Sequence, residues 1–228
     1  MNLKNKVVVI TGSTGGLGKA LASEFISEQA KVVINGHSVK KLREVSEEIG
    51  AVFCAGDVTK ETDMQKLANF AIKKFGKIDI WINNAGINVE DAPIEKIDSK
   101  QAHELMEVNF FGTFYGSRSV MKVMKKQKFG TIVNIISMSA LFGRPLHSTY
   151  SASKWAARGF TNALRMALEP EKVCVIAVYP AGIKTNLFAK FRRPADYKNF
   201  MESSYVAQKI VQNLKKEEPK EEIIIKKK

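Results

Sequence analysis

The chain has 228 residues, 45% of them hydrophobic and 26% charged, and its 36 Lys and Arg outnumber 23 Asp and Glu for a formal charge of +13. That length suits one well-filled core, no Pro/Gly/Ser-rich linker divides it, and no apolar run approaches the roughly 18 residues of a membrane span. Positive charge is dispersed, with runs only at 124–128, 190–194 and 226–228, which describes a solvated lysine-rich surface rather than a nucleic-acid face.

The opening "MNLKNKVVVI" lacks the pattern of a secretory leader, so a cytoplasmic protein is expected. It runs into a first strand, "KVVVIT" (6–11), and then a glycine-rich turn, "TGSTGGLG" (11–18), that opens a helix. In "GLGKALASEFISEQ" the apolar Leu17, Leu21, Phe25 and Ile26 recur at helical spacing. A second strand, "KVVIN" (31–35), leads to "GHSVKK", and a third, "AVFCAG" (51–56), leads to Asp57 and Val58. "TDMQKLANFAIKKFG" repeats the helical period through Met64, Leu67, Phe70 or Ala71, and Phe75 and stops at Gly76, a C-terminal cap. Further strands are expected at "IDIWIN" (78–83), "GTIVNII" (130–136), "VCVIAVY" (173–179) and "EEIIIKK" (221–227). A long helix around "MEVNFFG" and another carrying "STYSASKWAARGF" (148–160) fill the intervals. Residues 180–200 have no strong pattern, and a loop of that length in a compact domain tends to be functional.

Continuous Val/Ile runs alternating with amphipathic segments imply right-handed crossovers and a parallel sheet covered on both faces. The expected fold is α/β, a doubly wound Rossmann-type sheet of about seven strands in a single domain spanning 1–228. Cys54 and Cys174 each sit in a short apolar run and are expected as inert buried thiols, with no metal site.

A glycine turn after the first strand lets the backbone approach a pyrophosphate while the helix N-terminus offers unpaired N–H groups and partial positive charge. Dinucleotide binding is therefore expected at Gly12, Ser13, Thr14, Gly15, Gly16, Leu17 and Gly18. After the second strand, Asn35, Gly36, His37 and Ser38 supply no carboxylate for a ribose 2′-OH, and Lys40 and Lys41 follow. NADP(H) is thus the expected cofactor and NAD(H) the alternative. Tyr150 and Lys154, four apart on a helix, share a face. An ammonium beside a phenol favours the phenolate, so the pair reads as a tuned general acid/base.

Taken in order, Thr11, Gly12, Gly16 and Gly18, then "NNAG" at 83–86, then Ser137 and the Y-x-x-x-K of Tyr150 and Lys154 resemble the short-chain dehydrogenase/reductase family over about residues 5–185. The resemblance implies a nicotinamide cofactor and hydride transfer between it and a carbonyl or alcohol. It implies roles for Asp57 near the adenine, for Asn84, Ala85 and Gly86 along the cofactor, and for Pro180, Ile183 and Thr185 near the nicotinamide. It further implies that Ser137 orients the substrate oxygen, with Ser139 the second choice, that Lys154 holds the nicotinamide ribose, and that Asn109 completes a proton relay. Two departures stand out: Ala181 replaces a usual glycine, and Gly15 stands where NADP-preferring relatives often carry Arg.

Substrate walls are expected from 141–147 and 180–200, which offer Leu141, Phe142, Leu146, Leu187, Phe188, Phe191 and Phe200 for a hydrophobic small-molecule carbonyl compound. Arg192 and Arg193 would instead suit an acyl carrier, and His147 would lie near the substrate. Phe110, Phe111, Phe114 and Tyr115, with Trp155 and Phe160, suggest helix packing between subunits of a homodimer or homotetramer, core packing being the competing account. A catalytically silent nucleotide-binding sensor is the alternative function.

Overall fold

A computed structural model describes residues 1–185, 187 and 196–227. Seven parallel strands form one sheet in the order β3-β2-β1-β4-β5-β6-β7. They are β1 (Val7–Ile10), β2 (Lys31–Gly36), β3 (Val52–Ala55), β4 (Ile80–Asn83), β5 (Gly130–Ile135), β6 (Val173–Pro180) and β7 (Glu222–Ile225). The order reverses between β1 and β4, and there the carboxyl ends of the strands splay to leave the crevice that open α/β sheets use for ligands.

The helices are α1 (Gly16–Ser27), α2 (Val39–Ile49), α3 (Glu61–Phe75), α4 (Ser99–Met106), α5 (Gly112–Gln127), α6 (Ser148–Leu168) and α7 (Ser203–Leu214). They cover both faces of the sheet. One apolar layer packs Leu21, Phe25, Val206 and Ile210 against Val8, Ile10 and Ile34. The other packs Met64, Leu67, Val120 and Leu164 against Val9, Trp81 and Ile132. Central strands β1 and β4 are buried at every residue, whereas the edge strands β3 and β7 are largely exposed or half-buried. A continuous Val/Ile run is therefore the signature of the sheet's middle, and the edges carry it without the same burial.

Asp79 closes the amino end of the sheet. It is 3% exposed, accepts from the Val7 amide at 2.8 Å and pairs with Lys6 at 3.1 Å and Lys77 at 2.9 Å. Burial works against its charge, but the Val7 amide and the two ammonium groups outweigh it and hold the carboxyl below its usual value.

Behind the carboxyl ends runs a buried polar chain. Trp81 Nε1 donates to Asn83 Oδ1 at 2.8 Å, Asn83 Nδ2 donates to Ser117 at 2.9 Å and to Asn134 Oδ1 at 2.8 Å, and Asn134 Nδ2 donates to Thr161 at 2.9 Å. One fully satisfied network thus locks β4 and β5 to α5 and α6.

The expected single long helix through Asn109 is interrupted. Glu107–Phe111 forms a π-helical turn between α4 and α5, a local widening that is frequent at functional sites. The aromatic residues of α5 and α6 pack on one another within the chain, with Phe114 and Phe160 centroids 5.6 Å apart and Phe110 and Phe160 6.3 Å apart. Trp155 stands outside that cluster, 45% exposed, beneath the Arg158 guanidinium. Cys54 and Cys174 are free and half-buried at the edges of the two apolar layers, and burial raises both thiols above their ordinary value. No helix among the described residues is long and apolar enough to cross a membrane.

Candidate active site

A cleft of about 1850 Å³ lies along the carboxyl ends of the strands. Its floor at one end is the β1–α1 turn. Gly12 has φ +65°, and a Cβ there would stand 2.7 Å from the Ala85 Cα; a Cβ on Gly18 would overlap the Gly12 carbonyl and lie 2.6 Å from Asn84 Nδ2. The turn and the NNAG segment are fastened together. Thr11 Oγ1 accepts from the amides of Asn84 at 3.0 Å and Ala85 at 3.1 Å, while Asn84 Nδ2 donates to the carbonyls of Thr11 at 2.9 Å and Gly12 at 3.1 Å.

Thr14, Gly15, Gly16 and Leu17 face the cleft at the start of α1, and Asn35, His37, Asp57 and Val58 face it from the ends of β2 and β3. Asn84, Ala85 and Gly86 form its middle, and Pro180, Ile183 and Thr185 its far wall. Two glycine-turn residues do not line it. Ser13 is fully buried, its hydroxyl donating to the Ile10 carbonyl and accepting from the Asn35 amide, so it ties β1 to β2. Gly18 sits one layer back, where only its missing side chain lets Asn84 close on Gly12. Lys41, rather than Lys40, reaches the cleft beside His37, and Lys60 faces it from the start of α3.

Ser137, Tyr150 and Lys154 come together at the other end of the cleft. Ser137 follows β5, and its hydroxyl accepts from the Ser139 amide at 3.1 Å and lies near enough to the Tyr150 phenol to act on its pKa. Burial raises the phenol's pKa, an effect that the Ser137 hydroxyl and the Arg144 charge reduce without reversing. The Lys154 ammonium lies over the Tyr150 ring, 5.8 Å from its centroid. Lys154 is 5% exposed, makes no hydrogen bond among the described residues, and is pushed by burial from 10.5 to about 8.

Asn109 is buried behind this group and does not line the cleft. Its Oδ1 accepts from the Ile87 amide at 2.9 Å, and its Nδ2 donates to the Ile87 carbonyl at 3.1 Å and to Ser153 at 3.0 Å. Ser153 in turn donates to the Tyr150 carbonyl at 2.7 Å. The Asn109 amide therefore braces the cleft loop against the turn that presents Tyr150.

The substrate wall differs from the expected apolar one. Leu141 packs into a small cluster around Ile136 and Tyr179, Phe142 is 42% exposed, and Leu146, at φ +67°, faces a side pocket of about 260 Å³. Arg144, Pro145 and His147 take their place in the cleft, and Leu187 and Phe200 line it as expected. Phe188, Phe191, Arg192 and Arg193 lie outside the described residues. His147 Nε2 pairs with Asp91 Oδ1 at 2.7 Å, and its ring centroid is 6.0 Å from that of Tyr150. Ala181 occupies ordinary backbone and donates to the Ile225 carbonyl at 2.8 Å, so no glycine is needed there.

The short chain dehydrogenase family model matches residues 6–196. The uncharacterized oxidoreductase Lmo0432 of Listeria monocytogenes is 34% identical over 194 residues, 82% of this chain and 78% of that protein. An uncharacterized oxidoreductase of Thermotoga maritima is 39% identical over 185 residues, 79% of this chain and 72% of its own. Among solved structures, the 3-ketoacyl-(acyl-carrier-protein) reductase from Brucella melitensis complexed with NADH superposes with a TM-score of 0.86 at 30% identity, covering 92% of this chain and 90% of that one. A short chain dehydrogenase/reductase from Burkholderia phymatum in complex with NAD shares the fold, with a TM-score of 0.90 at 23% identity over 98% of this chain and 90% of its own. The chain belongs to the short-chain dehydrogenase/reductase family. It is an NAD(P)-dependent oxidoreductase.

Proposed function

We propose that the protein interconverts a carbonyl compound and an alcohol with NADP(H), NAD(H) being the alternative cofactor, and that Tyr150 is the general acid/base. The observation that carries this reading is the convergence of Ser137, Tyr150 and Lys154 at one end of a cleft whose other end is a glycine cradle.

The cleft fits a dinucleotide. Its turn leaves no room for side chains at Gly12 and Gly18, the first turn of α1 points free amides into it, and Asn35 Oδ1 is a buried acceptor without a partner at the β2 end. Thr14, Gly15, Gly16 and Leu17 would hold the pyrophosphate, and Asn35, His37, Asp57 and Val58 the adenosine half. The NNAG backbone would line the middle, and Pro180, Ile183 and Thr185 the nicotinamide half. His37 and Lys41 at the β2 end, with no carboxylate between residues 35 and 38, favour a 2′-phosphate.

When bound, the nicotinamide supplies the hydride to the carbonyl carbon and is itself oxidised. Ser137 and Tyr150 hydrogen-bond the substrate oxygen. Tyr150 donates the phenolic proton to it as the C–H bond forms, so one carbonyl takes up one hydride and one proton to become one alcohol. A phenol whose pKa burial has raised is fully protonated at neutral pH, the state a donor for reduction requires. Lys154 lies beside Gly86, within reach of a ribose hydroxyl and a proton supply.

The test is Tyr150→Phe. Turnover of NADPH or NADH with a carbonyl panel should fall by about 100-fold or more while cofactor affinity changes little. Undiminished turnover would refute the assignment. Cofactor binding without turnover in the unaltered protein would favour the sensor reading. The exposed Trp155 supports a homo-oligomer as part of the same proposal.

A further inference from the structure

Arg144 faces the cleft from the loop before α6, alongside Ser137 and Tyr150. A turn closed by the His147 amide on the Arg144 carbonyl, at 3.2 Å, places it immediately ahead of the helix that carries Tyr150. Its guanidinium lies 5.7 Å from the Phe142 ring and has no carboxylate partner among the described residues. Arg118 and Arg165, by contrast, are paired with Glu61 and with Glu221 and Glu222. The nearby Asp91 carboxylate is engaged by His147 at 2.7 Å, so the loop's own anion does not neutralise Arg144. Glu104, Glu107 and Asp196 also line the cleft, and none of them forms an ion pair with Arg144 among the described residues. Lys227, after β7, also lines this cleft.

Resting on the reading of Tyr150 and Ser137 as the groups that hold a carbonyl oxygen, we propose that Arg144 holds the carboxylate of the substrate, which is a short oxo acid. A guanidinium fork matches a carboxylate with two parallel hydrogen bonds, and Arg144, on an exposed loop at the edge of the cleft, can present that fork to an entering anion. Arg144 lines the cleft together with Ser137 and Tyr150, so anion and carbonyl belong to one small molecule. In a coenzyme A or carrier thioester the whole pantetheine arm separates the phosphate from the carbonyl, which does not suit a cation beside the reacting oxygen. Reduction converts the oxo acid to the hydroxy acid with the hydride and proton already described.

The experiment measures kcat/KM for 2-oxobutanoate and acetoacetate, each against its methyl ester, and for acetoacetyl-coenzyme A, in the unaltered protein and in Arg144→Gln and Arg144→Lys. The free acid should exceed its ester about tenfold or more. Arg144→Gln should lower the acid's value by at least about tenfold, mainly through KM, and leave the ester within about twofold; Arg144→Lys should recover part of the loss. Calorimetry with malonate, an unreducible dicarboxylate, in the presence of NADPH should show binding that Arg144→Gln weakens in parallel. Equal use of acid and ester, equal losses for both in Arg144→Gln, or preference for the thioester would overturn the proposal while leaving carbonyl reduction intact. No turnover of any of these compounds while other ketones or aldehydes are reduced would overturn this proposal alone; no turnover across the whole carbonyl panel, with NADPH still bound, would remove the carbonyl-reductase reading as well.

Discussion

Replacing Lys154 with Met should make the protein more stable and catalytically dead. The ammonium is 5% exposed and without a hydrogen bond among the described residues, and its pKa falls from 10.5 to about 8 on folding. Below pH 8 the group is charged in both the folded and the unfolded chain, and the folded state bears the full desolvation cost. At higher pH the folded group loses its proton first, so the cost fades up to about 10.5. That fall corresponds to roughly 3 kcal/mol at pH 7 and to about half as much near pH 9.5. Met fills much of the same volume without a charge. Urea unfolding of both proteins without cofactor, at one protein concentration, should show Lys154→Met the more stable by about that amount at pH 7 and by about half of it near pH 9.5. Equal stability at pH 7, or a gap that does not shrink as pH rises, would refute the claim that the site stores the cost of a buried cation.

Gly18→Ala should destabilise the fold by about 2 kcal/mol or more and weaken cofactor binding, because the added methyl overlaps the Gly12 carbonyl and Asn84 Nδ2; thermal unfolding and a cofactor titration check both. Asp79→Asn should cost about 2 kcal/mol at pH 7 through the loss of charge-assisted bonds to Val7, Lys6 and Lys77. Since the folded carboxyl lies below its usual value, that contribution is present above the unfolded pKa of about 4 and is lost as pH falls through the folded one. The difference between the two proteins should therefore vanish in acid, which a pH series of urea titrations measures.

Local chemistry in the chain already determined the sheet, its parallel sense and the place of the glycine turn. Continuous Val/Ile runs declare strands without telling central ones from edges, and a helix that follows such a turn can only start at the crevice. The convergence of Ser137 with Tyr150 and Lys154 was legible for the same reason, since β5 must end and α6 must start at that crevice. Tertiary packing decided the rest. Ser13 and Asn109 are polar residues in the right places by spacing, but their side chains are consumed by Asn35 and by Ile87 and Ser153, partners remote in sequence. The network through Asn83, Ser117, Asn134 and Thr161 draws one or two polar atoms from each of four elements, and no single segment carries its signature. The sign of the shift at Tyr150 was decided in three dimensions as well. Spacing puts an ammonium near the phenol, yet where that charge lies relative to the oxygen, and how much water the fold removes, depends on every element that closes over the cleft. The loop from 141 to 147 looked apolar by composition and became a charged wall, because a turn at Arg144 and a left-handed Leu146 choose which side chains face inward.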